Sequence, residues 1–404
     1  MTQPRSAART RLAMGRRARQ AAVIVTAGAL TALGVTAASA GASPPGGYKQ
    51  INMVSDQPGV APLTDPDLVN AWGLSASPGT DAVPGSPLWV SDNGTDKTTL
   101  YAGATATTVT KVSTFANGID VTSGAPTGQV FNSASNPNDF VVQDAAGHSG
   151  RATFLFDSEN GGIDGWNATV GATAPGPSTH TEVAVKNGAN AVYKGLAQAV
   201  ASDGHTYLYA ANFRSGRVEA YDGTFTPVEL PGGLFVDTKI PAGFAPFNVQ
   251  ELAGRLYVSY AKQDATLHDD VAGQGNGFVD VFTNDGAFVK RLVTRGQLNS
   301  PWGLALAPAS FGRFGGALLV GNFGNGKINA YNINNGARLG ELRGTNNKPI
   351  AIDGLWGLAF GNGKANTLKN GLYFTAGIQD EAHGLYGRLI LDPSASPYMA
   401  GEPI

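Results

Sequence analysis

Three segments share one pattern: NAWGLSASP at 70–78, SPWGLALAP at 300–308 and GLWGLAFGN at 354–362. In each, a Trp-Gly-Leu core alternates small and apolar residues and then runs into a turn. Each leads to a second apolar stretch, PLWVSDNG (87–94), ALLVGNFGNG (317–326) and GLYFTAGIQD (371–380). Weaker copies fill the intervals: APTGQVFN (125–132) before ATFLFDSENGGIDGW (152–166), YKGLAQAV (193–200) before TYLYAANFRSGRVEAYD (206–222), and APFNVQEL (245–252) before RLYVSYAKQD (255–264).

Anchored at Gly73, Gly128, Gly195, Phe247, Gly303 and Gly357, the six units are spaced 55, 67, 52, 56 and 54 residues apart. A third strand follows the second, seen in GRVEAYD (216–222), GFVDVFT (277–283) and GKINAYN (326–332), and an outer one in ARLGELR (337–343). Period-2 alternation of aromatic and β-branched residues marks half-buried antiparallel strands. Four short strands per unit, six times over, predict an all-β fold: a six-bladed β-propeller of four-stranded antiparallel blades. The last unit lacks an outer strand, while YKQINMVSD (48–56) stands unassigned before the first Trp-Gly-Leu. We expect this N-terminal strand to pair with the last blade, which closes the ring and removes an exposed edge.

The organisation expected is a leader followed by a single propeller domain at 41–404. Six arginines lie among the first 19 residues, before the apolar run AAVIVTAGALTALGVTA (21–37) and then ASA (38–40). That order describes a secretory signal peptide, cleaved near Ala40, and predicts an exported protein. Removing residues 1–40 takes six of the 28 basic residues and no acidic one, leaving 22 against 30, a net charge of −8. Such a balance argues against a nucleic-acid partner. No later apolar run reaches membrane length, so no membrane span is expected in the mature chain. The chain has no cysteine, which excludes disulfide scaffolds, thiolate zinc sites and cysteine nucleophiles. With 55 glycines it reads as many short strands joined by tight turns.

The Trp-Gly-Leu segments and the strands that follow resemble NHL-like and gluconolactonase-like six-bladed propellers. YAANFRSGRVEAYD, LYVSYAKQDA, GNFGNGKINAYN, IDGLWGLAFGNG and FTAGIQDEAHGLYG together look like one family of exported bacterial propellers without an assigned activity. The resemblance covers almost the whole mature chain, but it transfers a fold rather than a function.

Propeller topology sorts the polar residues. The start of each innermost strand and the turn after each second strand lie on the same face. Asn70, Thr127, Lys194, Asn248, Asn299 and Asp353 stand at the strand starts, beside Trp72, Phe247, Trp302 and Trp356. Asp92, Asn93, Asp157, Glu159, Asn212, Arg214, Lys262, Asp264, Asn322 and Asp380 stand at the turns. All are expected around one mouth of the channel, where repeat rings keep their sites.

Asn70, Asp92, Asn212, Asn248, Asn322 and Asp353 offer the oxygen chemistry a hard cation takes. Gluconolactonase-like propellers hold calcium at this mouth, so the resemblance implies Ca²⁺ here, although no Glu begins the first blade. Two turns are richer than the rest: AKQDATLHDDVAGQGNG (261–277) and GIQDEAHG (377–384), each with Gln-Asp followed by His. His268 and His383, with Asp380 beside the latter, are candidate catalytic groups, because a carboxylate fixes a histidine's tautomer and raises its pKa. Trp72, Trp302, Trp356, Arg214, Asp264 and Glu381 are candidate ligand contacts.

Asn and Asp after a strand also close turns, and tryptophans in such repeats pack between blades. GNFGNGK (321–327) precedes a strand, not a helix, and so is no phosphate loop. The leading expectation is a secreted, monomeric binding module for a small molecule or an extracellular protein or polysaccharide. The alternative is a Ca²⁺-assisted hydrolase of lactonase or esterase type. Redox-cofactor propellers usually have more blades and are disfavoured.

Overall fold

The computed structural model describes residues 47–79, 85–103, 109–233, 235–363 and 367–392. The leader expected at 1–40 lies outside them. The chain opens with β1 (Tyr48–Ser55) and the short β2 (Leu63–Thr64). Blade 1 comprises β3 (Ala71–Ser75), β4 (Leu88–Asp92), β5 (Lys97–Ala102), β6 (Thr110–Lys111) and β7 (Ile119–Asp120). Blade 2 begins with β8 (Pro126–Phe131), is interrupted by β9 (Val141–Gln143) and β10 (Ser149–Arg151), and continues through β11 (Phe154–Ser158), β12 (Gly162–Trp166) and β13 (Glu182–Lys186). The β9–β10 hairpin pairs only with itself and accounts for the 67-residue second interval.

Blade 3 holds β14 (Tyr193–Val200), β15 (Thr206–Asn212), β16 (Arg217–Tyr221) and β17 (Pro227–Val228). Blade 4 holds β18 (Phe244–Leu252), β19 (Arg255–Lys262), β20 (Phe278–Phe282) and β21 (Phe288–Thr294). Blade 5 holds β22 (Pro301–Leu306), β23 (Leu318–Asn322), β24 (Ile328–Tyr331) and β25 (Arg338–Glu341). Blade 6 follows with β26 (Leu355–Phe360), β27 (Leu372–Ile378) and β28 (His383–Leu391).

Its outer strand comes from the N-terminal side. The sheet runs β2-β1-β28-β27-β26, with β1 antiparallel to β28 from Tyr48↔Leu391 to Ser55↔Leu385. The expected closure is therefore present, and so is the six-bladed ring of four-stranded blades. One apolar cluster fills each of the six spaces between neighbouring blades; Trp89, Phe154, Phe156 and Trp166, for example, pack between blades 1 and 2. A seventh cluster lies on the axis: Trp72, Phe213, Phe247, Trp302 and Trp356, with Phe323 against it.

The innermost strands explain the axial cluster. Each A–B pairing shifts register at the Trp-Gly position, between Ala71 and Leu74, Tyr193 and Leu196, Pro246 and Asn248, Pro301 and Gly303, Leu355 and Leu358, and opposite Phe156/Ser158 in blade 2. A bulge re-aims the side chain it carries. The glycine beside it lets the next inner strand close in. A Cβ on Gly73 would stand 2.4 Å from the carbonyl of Thr127, and one on Gly357 would stand 2.5 Å from that of Trp72. The tryptophans thus turn to the axis instead of packing between blades, as repeat tryptophans were expected to do.

Candidate functional site at the channel mouth

Aligned on the bulge, the six inner strands present Trp72, Thr127, Lys194, Phe247, Trp302 and Trp356 at one level. Four are aromatic and make a plug. Trp72 and Trp356 stack at 3.4 Å between ring centroids, Phe323 stacks on Trp356 at 3.9 Å, and Trp302 meets Trp72 and Trp356 edge-on at 5.8 and 5.9 Å. Exposures of 1 %, 4 % and 1 % for Trp72, Trp302 and Trp356 remove them from ligand contact as long as the plug stays packed. Below it, Gln129, Asn248 and Gln250 line an axial cavity of about 20 Å³, room for roughly one water.

The fifth member is a cation. Lys194 is 2 % exposed, and its Nζ lies 5.1 Å from the Trp72 ring centroid. It forms an ion pair with Glu159 from the B–C turn of blade 2 and reaches Asp269 of blade 4 at 3.5 Å. The second Glu159 oxygen accepts from Asn93 Nδ2 at 2.8 Å, and Asn93 Oδ1 accepts from Asn70 Nδ2 at 3.2 Å. Asn70 Nδ2 also donates to Glu381 of blade 6 at 3.1 Å, while Asn70 Oδ1 accepts the indole N–H of Trp356. His268 Nδ1 lies 2.8 Å from Asp269 Oδ1. Turns of blades 1, 2, 4 and 6 therefore converge on the one lysine of the axial ring.

Local backbone places these groups. The chain enters the inner strand through a left-handed residue in five blades, at Asn70 (φ 49°), Ala125 (44°), Gly243 (81°), Ser300 (48°) and Gly354 (59°). In blade 6 three successive residues, Gln379, Asp380 and Glu381, are left-handed at φ 57°, 53° and 65°. Such geometry costs L-residues roughly 1–2 kcal/mol each. It is held by Asp353, which accepts the Gln379 N–H at 2.7 Å, and by the Glu381 N–H on the Gly377 carbonyl at 3.2 Å. Gly377 must be glycine here, because a Cβ would stand 2.1 Å from Asn70 Oδ1. The turn swings Glu381 over the mouth and leaves Asp380 exposed.

Charge is unevenly shared. Burial alone would lower the Lys194 ammonium, but Glu159 and Asp269 outweigh it and hold its pKa above the usual value. Burial likewise works to raise Glu159, and Lys194 outweighs it, so that carboxyl lies below its usual range. The hydrogen bond with His268 and the nearby Lys194 hold Asp269 at about 2. Glu381 forms no ion pair among the described residues; burial, then repulsion from Glu159, pushes it up to about 7.

The other sequence-derived candidates stand elsewhere or serve the backbone. His383 Nδ1 meets Asp56 Oδ2 at 2.6 Å, beside the closing strand, so it does not join His268. Asp264 accepts from Thr266 and the His268 N–H and closes its own loop. Asn212 accepts the Val192 and Ser215 N–H groups and donates to Glu219; Asn322 accepts the Asn299 N–H and donates to the Gln297 carbonyl. Asn248 donates to the Trp302 carbonyl at 2.8 Å. Asp92 is fully buried, and the charged groups that act on it are Asp65, Lys111 and Asp67 toward the blade 6–blade 1 junction. Of the six proposed calcium ligands only Asn70 belongs to the cluster around Lys194. Arg214 is half-buried, with an Nε that finds no hydrogen-bond partner among the described residues.

Lys194 and Glu159 were placed on this face by topology without being singled out. Aligning YKGLA with AWGLS on glycine puts Lys194 in register with Trp72, which is the signal that identifies it.

These features define a six-bladed propeller with an aromatic plug beneath a polar, acid-rich mouth. No known protein-family profile matches the sequence. The chain is 32 % identical over 348 residues to uncharacterized protein R648 of Acanthamoeba polyphaga mimivirus, covering 84 % of this chain and 79 % of the viral protein. It is 31 % identical over 358 residues to uncharacterized protein L690 of the same virus, covering 85 % and 86 %. The chain belongs to the family of these proteins. Both relatives are viral, whereas the sequence resemblance pointed to bacterial ones.

Among solved structures, a Bacteroides thetaiotaomicron protein of unknown function aligns with a TM-score of 0.48 and 9 % identity over 85 % of this chain and 75 % of its own. A gluconolactonase from Xanthomonas campestris aligns with 0.38 and 16 % identity over 59 % and 72 %. These likenesses concern the fold alone. Among the described residues no helix is long and apolar enough to cross a membrane.

Proposed function

We propose that the protein is a binding propeller whose mouth takes a ligand bearing a basic group. The observation that carries this is the convergence of Glu159, Asp269 and Glu381 on a single buried ammonium, Lys194. Lys194 satisfies Glu159, and His268 bonds Asp269, while burial and then repulsion from Glu159 hold Glu381 at about 7, so that it carries only part of its charge near neutrality. An incoming amine or guanidinium would supply a cation and release a proton. The arginine-rich, then apolar, residues 1–40 support an exported protein, which would meet such a ligand outside the cell.

The test is calorimetric titration with spermidine and with tetralysine at pH 7, in two buffers of different ionisation enthalpy. We expect 1:1 binding with proton release, weakened at least tenfold by Glu381→Gln. Absence of binding by both probes sinks the reading.

A second reading, a metal-assisted lactonase or esterase, is favoured by one observation: donor atoms of Glu159, His268 and Asp269 all lie within 4.8 Å of one another. One imidazole and two carboxylates suit a divalent ion, and Glu381 near pH 7 suits a general base. Lys194 already holds the charge position a metal would take, which weighs against it. A stoichiometric metal in the purified protein, with lactone turnover lost in His268→Ala, would establish this reading instead.

A further inference from the structure

The outer rim carries a second cavity, remote from the mouth and independent of the reading above. Blade 3 has an outer strand of two residues, Pro227–Val228, pairing only with Ala220 and Tyr221. The chain then leaves the blade, and Gly232 and Phe235 donate their N–H groups to the blade 4 turn at Asp285 and Gly286. The outer flank of Arg217–Glu219 therefore has no strand beside it. Between it and β13 lies a cavity of about 690 Å³, within the range of small-molecule sites.

Apolar side chains supply part of its lining: Val185 from blade 2, and Val218, Tyr221, Val228, Leu230 and Phe235 from blade 3 and its exit. The polar groups at its base are already satisfied. Glu219 accepts from Tyr193 at 2.6 Å, Tyr221 at 2.9 Å and Asn212 at 2.7 Å, so neutral donors already fill its hydrogen-bonding positions. What remains open is charge. Lys186, the last residue of β13, and Arg217, the first of β16, both line the cavity, both are exposed, and neither forms an ion pair among the described residues. In propeller topology the end of an outer strand and the start of a third strand share a face, so both cations stand at one end of the cavity. The acid on the rim, Glu229, follows Val228 on the turn leaving the blade.

An open cavity with apolar side chains along it and two cations without an ion pair at one end matches an aliphatic chain ending in an anion. We infer that this cavity binds a medium- or long-chain aliphatic carboxylate, its chain along Val185, Val218 and Leu230 and its carboxylate between Lys186 and Arg217. Carboxylates and guanidinium or ammonium groups pair through charge-assisted hydrogen bonds, and the chain contributes by leaving water.

The experiment titrates the full chain with dodecanoate, dodecanol and dodecylamine, each below its aggregation limit. We expect saturable dodecanoate binding, at least tenfold weaker in Lys186→Ala/Arg217→Ala, with dodecanol affected less than twofold by the same change. Both residues are exposed and unpaired, so that variant should fold; Val218→Phe, which fills the chamber, is the second check and should weaken all binding. Equal affinity for dodecylamine, a null effect of the double substitution, or no saturable dodecanoate binding overturns the assignment. Binding of an extended peptide in preference to dodecanoate would overturn it too, and would identify the vacant strand position as a docking edge.

Discussion

Trp302 donates its indole N–H to the backbone carbonyl of Lys194 at 2.7 Å, joining blade 5 to blade 3 across the axis. The bond ties the aromatic plug to the residue that organises the charges above it. Trp302→Phe keeps an aromatic ring and loses that bond, and we expect a loss of about 1 kcal/mol. Trp302→Ala also opens a cavity and should cost about 3–5 kcal/mol. Denaturant unfolding of the two variants measures the difference; an undiminished stability of Trp302→Phe would mean the hydrogen bond contributes nothing.

Lys194→Met keeps the stem and removes the charge. It leaves Glu159 buried without its cation, for which about 3–5 kcal/mol is the usual cost. Lys194→Met/Glu159→Gln should recover most of that loss. A double-substitution cycle with no coupling would show that the pair is not the centre of the site. Lys194→Met should also bind a divalent ion more tightly than the native chain, because Glu159, His268 and Asp269 would then share no resident cation.

Stability should fall as pH rises from roughly 4 toward neutrality. Burial holds Glu381, Asp157 and Asp280 at about 7 in the folded chain. In the unfolded chain such groups ionise near pH 4. Between roughly pH 4 and 7 the folded state therefore binds more protons, so stability declines across that window and levels off above it. Each group contributes on the order of 4 kcal/mol. Asp269, held at about 2, acts oppositely, and its contribution is lost as pH falls below roughly 4. Urea midpoints should peak near pH 4–5, and Glu381→Gln should flatten the upper limb. A midpoint that climbs from pH 5 to 8 would contradict this.

Asp380 sits exposed at the centre of a left-handed run. Asp380→Gly should stabilise the chain by about 1 kcal/mol, since glycine takes this backbone without strain. Destabilisation would show that the carboxylate itself has a structural partner.

The blade count and the closing strand were legible because alternation and glycine spacing report backbone geometry directly. Side-chain direction was not. Whether Trp72 faces the axis or a neighbouring blade depends on a bulge at Gly73, which no local pattern announces. His383 illustrates the other limit. Its place in GIQDEAHG resembles that of His268 in AKQDATLHDD, yet its partner is Asp56, which becomes a neighbour only once β1 has joined blade 6. Lys194 was hidden by its own dissimilarity to tryptophan at a position where three other blades carry that residue.

That same union of β1 and β28 sets the order of events in making the protein. Among the described strands, the first to be synthesised can reach its partner only after the last one exists, with Tyr48 waiting for Leu391. Pairing at such sequence separation is slow, and meanwhile both partners present bare edges to other chains. Once made, it brings the Asp392 N–H onto the Gly47 carbonyl at 3.0 Å, so the two ends of the ring touch. A linker across that point with a new opening in an exposed turn such as that at Gly204 would give a permuted chain with the same ring. In it β1 would follow β28 directly, and the wait would disappear.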